Sequence, residues 1–182
     1  MRMTTGLLSM IVIAAFVTNA TAQEKKYEYG GVATCKTCHM TAKSGAQFKI
    51  WSAGPHAKAF ETLKSEKSMA IAKEKGIADP TKADACLKCH VTAHGVDAKL
   101  KGAKLTMEEG VGCESCHGPG SAYKTMKVMK DITAGTVKGA DYGLIEPTEA
   151  VCVTCHNPES PTYKKFVFAE SAAKTAHPIP AK

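Results

Sequence analysis

Four copies of the pattern C-x-x-C-H constrain this chain more than any other feature. They read "CKTCH" at 35–39, "CLKCH" at 86–90, "CESCH" at 113–117 and "CVTCH" at 152–156, and they use all eight cysteines. Two intervening residues let both thiols reach one haem edge and form thioethers, while the adjacent histidine binds the iron. We therefore expect four covalently bound c-type haems. The predicted attachment residues are Cys35, Cys38, Cys86, Cys89, Cys113, Cys116, Cys152 and Cys155, and the predicted proximal ligands are His39, His90, His117 and His156.

Eight cysteines could also form two zinc ribbons or four structural disulfides. Both alternatives leave the four adjacent histidines without a role. The haem interpretation uses every cysteine and every adjacent histidine, so it is the one that we carry forward.

The first 22 residues, "MRMTTGLLSMIVIAAFVTNATA", have the pattern of a secretory signal. They contain Arg2, an apolar run and an A-x-A site before Gln23. The alternative is a retained membrane anchor, but the apolar run is short for a span. We expect a signal peptide at 1–22 and a single domain at 23–182, periplasmic or secreted, with no membrane span in the mature chain.

The composition is poor in the large side chains that fill a hydrophobic core. Aromatic residues make up 6% of the chain, with one tryptophan. Haem macrocycles would replace much of the missing apolar interior. The chain has a formal net charge of +7, but Arg2 is its only arginine, and lysine without arginine is a weak pattern for nucleic-acid binding. We expect no nucleic-acid partner.

Periodicity predicts a mainly α fold with extensive loops, organised around closely packed haems. Apolar residues recur at helical spacing over 55–75, where Pro55 suits a first turn and Gly76 a C-terminal cap. Shorter helices are predicted around the second attachment site, over 121–130, and over 166–177. Sheet signals are almost absent.

Three histidines remain as candidates for the second axial position: His56, His94 and His177. Four irons have eight axial positions, and the chain has seven histidines. At least one iron therefore lacks a second histidine from its own chain. It is five-coordinate, takes a methionine or another side chain, or receives a histidine from a neighbouring molecule.

His94 lies four residues after His90, in "CLKCHVTAH". Two histidines on opposite sides of one iron place their α-carbons roughly 12–13 Å apart, and four residues stretch at most about 14 Å. The chain would have no slack to pass round the haem edge. If His94 binds iron, it binds a different iron from the one held by His90.

The segments "WSAGPHAKAFETL", "CLKCHV", "GVGCESCHGPGS" and "CVTCHNPESP" resemble the cytochrome c554 family of tetrahaem c-type cytochromes. The resemblance covers most of 34–178. It implies a small, mainly helical periplasmic protein with closely packed haems. The family's type member accepts electrons from hydroxylamine oxidoreductase, and related tetrahaem proteins form conductive extracellular filaments.

The resemblance also implies three bis-histidine haems and one open haem, the second, at His90. It assigns His56 to the third haem, at His117, and His177 to the fourth, at His156. Relatives often carry a histidine shortly after "CHGPGS" that serves the first haem, whereas this chain has Tyr123 there. We hypothesise that His94 takes over that role and binds the first haem, at His39.

The sequence predicts a non-enzymatic electron carrier that passes electrons between redox protein partners. No acid–base pair, activated nucleophile or phosphate-binding loop accompanies the haem sites. Two alternatives remain. An open iron could reduce a small nitrogen oxide, or the chain could be a homo-oligomer or filament subunit whose missing histidine comes from its neighbour.

Overall fold

The computed structural model describes residues 27–179, so the predicted signal peptide at 1–22 lies outside the described residues. Within this range the fold is mainly helical and contains no strand, only an isolated parallel bridge between Tyr29 and Lys101. The α-helices are α1 Val32–His39, α2 Gln47–Ala53, α3 Ala59–Thr62, α4 Glu66–Glu74, α5 Asp84–His90, α6 Cys113–His117, α7 Met126–Ala134, α8 Glu149–Cys152 and α9 Phe168–Thr175. Short 3-10 turns cover Ala42–Ser44, His56–Lys58, Ala98–Leu100, Met107–Glu109 and Gly139–Tyr142. The prediction of a mainly α chain with extensive loops is confirmed.

The C-x-x-C-H patterns lie on short helices. The first forms the C-terminal part of α1, the second ends α5, and the third makes up the whole of α6. The fourth begins at Cys152, the last residue of α8, and continues as a turn in which the His156 N–H donates to the Cys152 carbonyl at 3.0 Å. A helical turn places both cysteines and the histidine of one motif on adjacent surface, as attachment to one haem requires.

The helix predicted over 55–75 is interrupted. A 3-10 turn leads into α3, and α4 begins only at Glu66. Ser65 causes the break, because its hydroxyl donates to the Thr62 carbonyl at 2.7 Å and accepts the N–H of Ser68 as the N-cap of α4.

The two later helices are present, with shifted boundaries. α7 starts five residues after the predicted start, because the Thr125 side chain accepts the Val128 N–H and caps it. Gly135, with φ 73, ends α7 in the left-handed conformation. α9 is shorter than the predicted segment at both ends.

The hydrophobic core of the described residues is small. Phe60, Leu63, Leu87 and Val91 form one cluster, which joins α3 to α5. Ala72, Pro80 and Tyr123 are buried elsewhere. The protein interior alone is thus thin for a chain of this length, in agreement with the expectation that bound cofactors complete it. Within 27–179, no helix is both long and apolar enough to cross a bilayer.

Candidate functional site

The first and third attachment sites are in direct contact. The Cys35 thiol lies beside that of Cys113. The interaction between the two thiols is the largest cause that raises the pKa of Cys35 and lowers that of Cys113, while burial adds to the rise at Cys35 and opposes the fall at Cys113. Residues 78 positions apart, on α1 and α6, are therefore brought together.

The remaining contacts extend this arrangement to all four sites. Burial, followed by the charge of Cys155, raises the pKa of Cys89 to about 11, so the second site lies beside the fourth. Burial also raises the pKa of Cys116, with smaller contributions from Cys152 and Cys155, so the third site lies near the fourth. The order of proximity is first, third, fourth, second.

Histidines from distant segments face two of the predicted proximal ligands. The rings of His56 and His156 are 6.0 Å apart between centroids, and those of His117 and His177 are 5.8 Å apart. A metal ion stands about 2.0 Å from an imidazole nitrogen, so two imidazoles on opposite sides of one ion have centroids about 6 Å apart. Both pairs fit an iron held between them.

This arrangement differs from the pairing that the family resemblance implied, and the assignment of each histidine to an iron stays a prediction. The resemblance assigned His56 to the haem at His117 and His177 to the haem at His156. In the structure His56 faces His156, and His177 faces His117. The reason is the long chain reversal after the fourth site, which brings Phe166 against His156, with ring centroids 5.1 Å apart, and carries His177 on to the third site.

The facing histidines have environments that favour the neutral imidazole, the form that binds iron. Burial is the main cause that lowers the pKa of His56, with a smaller contribution from His156. Burial likewise lowers the pKa of His117 and of His177. The Nδ1 atom of His177 is buried and has no hydrogen-bond partner among the described residues. A half-buried ring whose Nδ1 has no protein partner within 27–179 fits a site completed by a bound group.

Backbone and amide oxygens orient the other two proximal ligands. His90 Nδ1 lies 2.6 Å from the Ala59 carbonyl oxygen, so Nδ1 carries the proton and Nε2 is left for iron. His39 Nδ1 lies 3.3 Å from Gln47 Oε1. The Gln47 amide also donates to the Pro178 carbonyl at 3.2 Å, which connects the first site to the segment of His177.

His94 has a different partner from the one that was predicted for it. Its Nε2 lies 2.9 Å from Asp84 Oδ1, at the start of α5. The residues on either side, Ala93 and Gly95, have φ values of 55 and 77, so the loop turns sharply at His94. The assignment of His94 to the iron at His39 stays a prediction, and Asp84 competes with iron for Nε2.

Replacing His94 with alanine tests that prediction. If His94 is an iron ligand, its loss is expected to convert one low-spin haem to high spin. Electron paramagnetic resonance of the oxidised protein measures this change. The matched control, Asp84→Asn, removes the carboxylate and is expected to leave that haem low-spin. An unchanged spectrum in His94→Ala would show that His94 binds no iron and only contacts Asp84.

Sequence reasoning missed the groups that hold the ligands in place. These are the Ala59 carbonyl, the Gln47 amide and two buried carboxylates, Glu109 and Glu114. The only sequence signal for Glu114 is its position inside "GVGCESCHGPGS", where a charged side chain lies among several glycines. Nothing in the sequence marks Ala59 or Gln47.

Comparison with known proteins gives two matches. The profile of the family described as cytochrome c554 and c-prime matches residues 34–118. Cytochrome c-554 of Nitrosomonas europaea is 35% identical over 122 residues, which cover 63% of this chain and 49% of that protein. The chain thus spans about half the length of the curated relative that it matches. No solved structure matches the chain. Residues 34–118, which include the first three attachment patterns, are thus similar to the cytochrome c554 family.

Proposed function

We propose that this chain is a tetrahaem c-type cytochrome that carries electrons between redox protein partners. The observation that carries the proposal is the proximity of the attachment sites, in which α1 packs against α6 and the Cys155 Sγ lies 4.0 Å from the Lys88 carbonyl oxygen, inside the second pattern. When bound, haem supplies a one-electron ferric–ferrous couple. The chain's own contribution is to bring four attachment sites into one connected row.

The axial ligands follow from the contacts of the four C-x-x-C-H histidines. His56 and His156 would hold one iron, and His117 and His177 a second. His39 and His90 are each oriented through Nδ1 for a proximal role. In this proposal residues 23–182 act as one domain, periplasmic or secreted after loss of residues 1–22.

Haem counting tests the proposal. The full chain is expressed in a bacterium that has the c-type haem attachment machinery, and its intact mass is measured under denaturing conditions. We expect the mass of the processed chain plus four haems, and uptake of four electrons in a reductive titration. A Cys35→Ser/Cys38→Ser variant serves as the control and is expected to carry three. A wild-type chain without covalent haem would contradict the proposal.

A second function is favoured by the surroundings of His90. Its ring is anchored by Ala59, and among residues 27–179 no other histidine ring is in aromatic contact with it. An iron held there with an open position could bind and reduce a small nitrogen oxide. Carbon monoxide binding to the reduced protein separates this function from electron carriage alone, because carbon monoxide requires an open ferrous iron.

A further inference from the structure

Two carboxylates are buried where the first and third attachment sites meet. Glu114, inside the third C-x-x-C-H pattern, is 3% exposed, and Glu109 is 9% exposed. Glu114 Oε1 accepts the N–H groups of Gly30 at 2.8 Å and Gly120 at 2.6 Å, while Oε2 accepts that of Gly31 at 2.8 Å. Three converging N–H donors stabilise the ionised form of a carboxylate. Glu114 therefore brings a negative charge into the interior.

Glu109 lies at the N-terminus of α1, beside the residues that Glu114 binds. Its Oε2 accepts the Val32 N–H at 3.1 Å, and its Oε1 is buried with no hydrogen-bond partner among the described residues. Within 27–179 neither Glu109 nor Glu114 forms an ion pair with a lysine or histidine. Burial, and then the neighbouring Glu114 charge, raise the pKa of Glu109, while the N–H groups of Val32 and Thr106 oppose the rise.

The charges of both residues act on the attachment cysteines. The Glu114 and Glu109 charges contribute to the raised pKa of the Cys35 thiol and oppose the lowering of the pKa of the Cys113 thiol, after the larger causes given above. A charge that disfavours the thiolate at these positions also disfavours any other added negative charge there, including an electron on a haem attached to the same sulfurs.

The second and fourth sites have no comparable buried charge among the described residues. Phe60, Leu63 and Val91 pack around Leu87, inside the second C-x-x-C-H pattern. The contact between the second and fourth sites includes an ion pair of Lys88 with Glu159, whose side chains are half exposed or more. Its opposite charges offset each other, and water screens them. Within residues 27–179, the first and third sites therefore lie beside buried carboxylates, whereas the second and fourth sites do not.

We propose that Glu114 and Glu109 lower the potentials of haems held at the first and third sites. The proposal rests on the proposed function. When bound, haem would supply a one-electron ferric–ferrous couple, reduced by an electron from a redox-protein donor with no bond made or broken. The buried negative charges of Glu114 and Glu109 would favour the ferric over the ferrous form at the first and third sites.

Potentiometric titration of the haem-loaded chain at mildly alkaline pH tests the proposal. Glu114→Gln is expected to favour reduction at the first and third sites by about tenfold, which is about 59 mV upward for a one-electron couple. The sites are assigned by nuclear magnetic resonance of haem methyl groups in contact with α1 and α6. Glu108→Gln, at the exposed residue beside Glu109, is the control and is expected to leave all four potentials unchanged.

Glu109→Gln is the second variant, because it keeps the three hydrogen bonds of Glu114. It is expected to shift the same two potentials upward, by less than Glu114→Gln. The proposal would be overturned if all four potentials were unchanged in both Glu109→Gln and Glu114→Gln while the chains remained folded. A shift confined to the second and fourth sites would also overturn it. The intact mass of each sample separates this result from a failure of the proposed function, which would appear as missing haem in the wild-type chain.

Discussion

Replacing His177 with alanine is expected to convert one haem, the one at His117, from low spin to high spin. The His177 ring faces His117 at 5.8 Å, and its removal leaves the iron there with one protein ligand. Replacing His56 is expected to do the same to the haem at His156. Electron paramagnetic resonance of the oxidised protein measures both changes, and Lys58→Ala, on the same short turn as His56, is the control.

The pairing itself can be tested by removing one haem. In a chain with Cys152→Ser and Cys155→Ser, the fourth haem is absent. Adding His56→Ala to that background is expected to produce no further high-spin iron, whereas adding His177→Ala is expected to produce one. The opposite result would restore the pairing of His56 with His117 and of His177 with His156.

Replacing Glu114 with alanine is expected to be the most destabilising change of a non-ligand residue. It removes the acceptor of three backbone N–H groups, and a buried donor without a partner costs about 1–3 kcal/mol. We expect the free energy of unfolding to fall by about 3 kcal/mol or more. The glycine-rich backbone around the three donors stays closely packed after the change, so the donors are left without an acceptor. Urea unfolding of the haem-loaded chain, followed by far-ultraviolet circular dichroism, measures the loss.

Glu149→Ala is the matched control for that experiment. Glu149 also lies close before an attachment cysteine, at the first residue of α8, but it is exposed. Its replacement is expected to change the free energy of unfolding by about 0.5 kcal/mol or less. Equal urea midpoints for Glu114→Ala and Glu149→Ala would contradict a structural role for the buried carboxylate.

The sequence predicted the features that depend on local spacing. The four C-x-x-C-H patterns, the short helix at the second attachment site and the mainly α class follow from residues that are close in the chain. The break at Ser65 could have been predicted too, because serine followed by glutamate is a common helix start. The helical spacing of apolar residues over 55–75 led us to predict one continuous helix there instead.

The partners of His56 and His177 could not be predicted from spacing. Each histidine lies far along the chain from its facing ring, so the choice between the third and fourth sites depends on how loops fold back. Glu114 shows the same limit, since its donors Gly30 and Gly31 lie 84 and 83 residues away. Such contacts depend on tertiary structure, and a single sequence carries no local signal for them.

The hydrogen bonds that Glu114 accepts from the residues just before α1 also have a consequence for the order in which the chain matures. The chain is made from its N-terminus, and the helix that carries Cys35 and Cys38 is complete long before Glu114 and Gly120 have been synthesised. Until then the N–H groups of Gly30 and Gly31, just before the helix, lack their acceptor, and the helix, eight residues long, is too short to be stable by itself. We therefore expect the first attachment site to be flexible during haem attachment and to become rigid only when the third site folds against it.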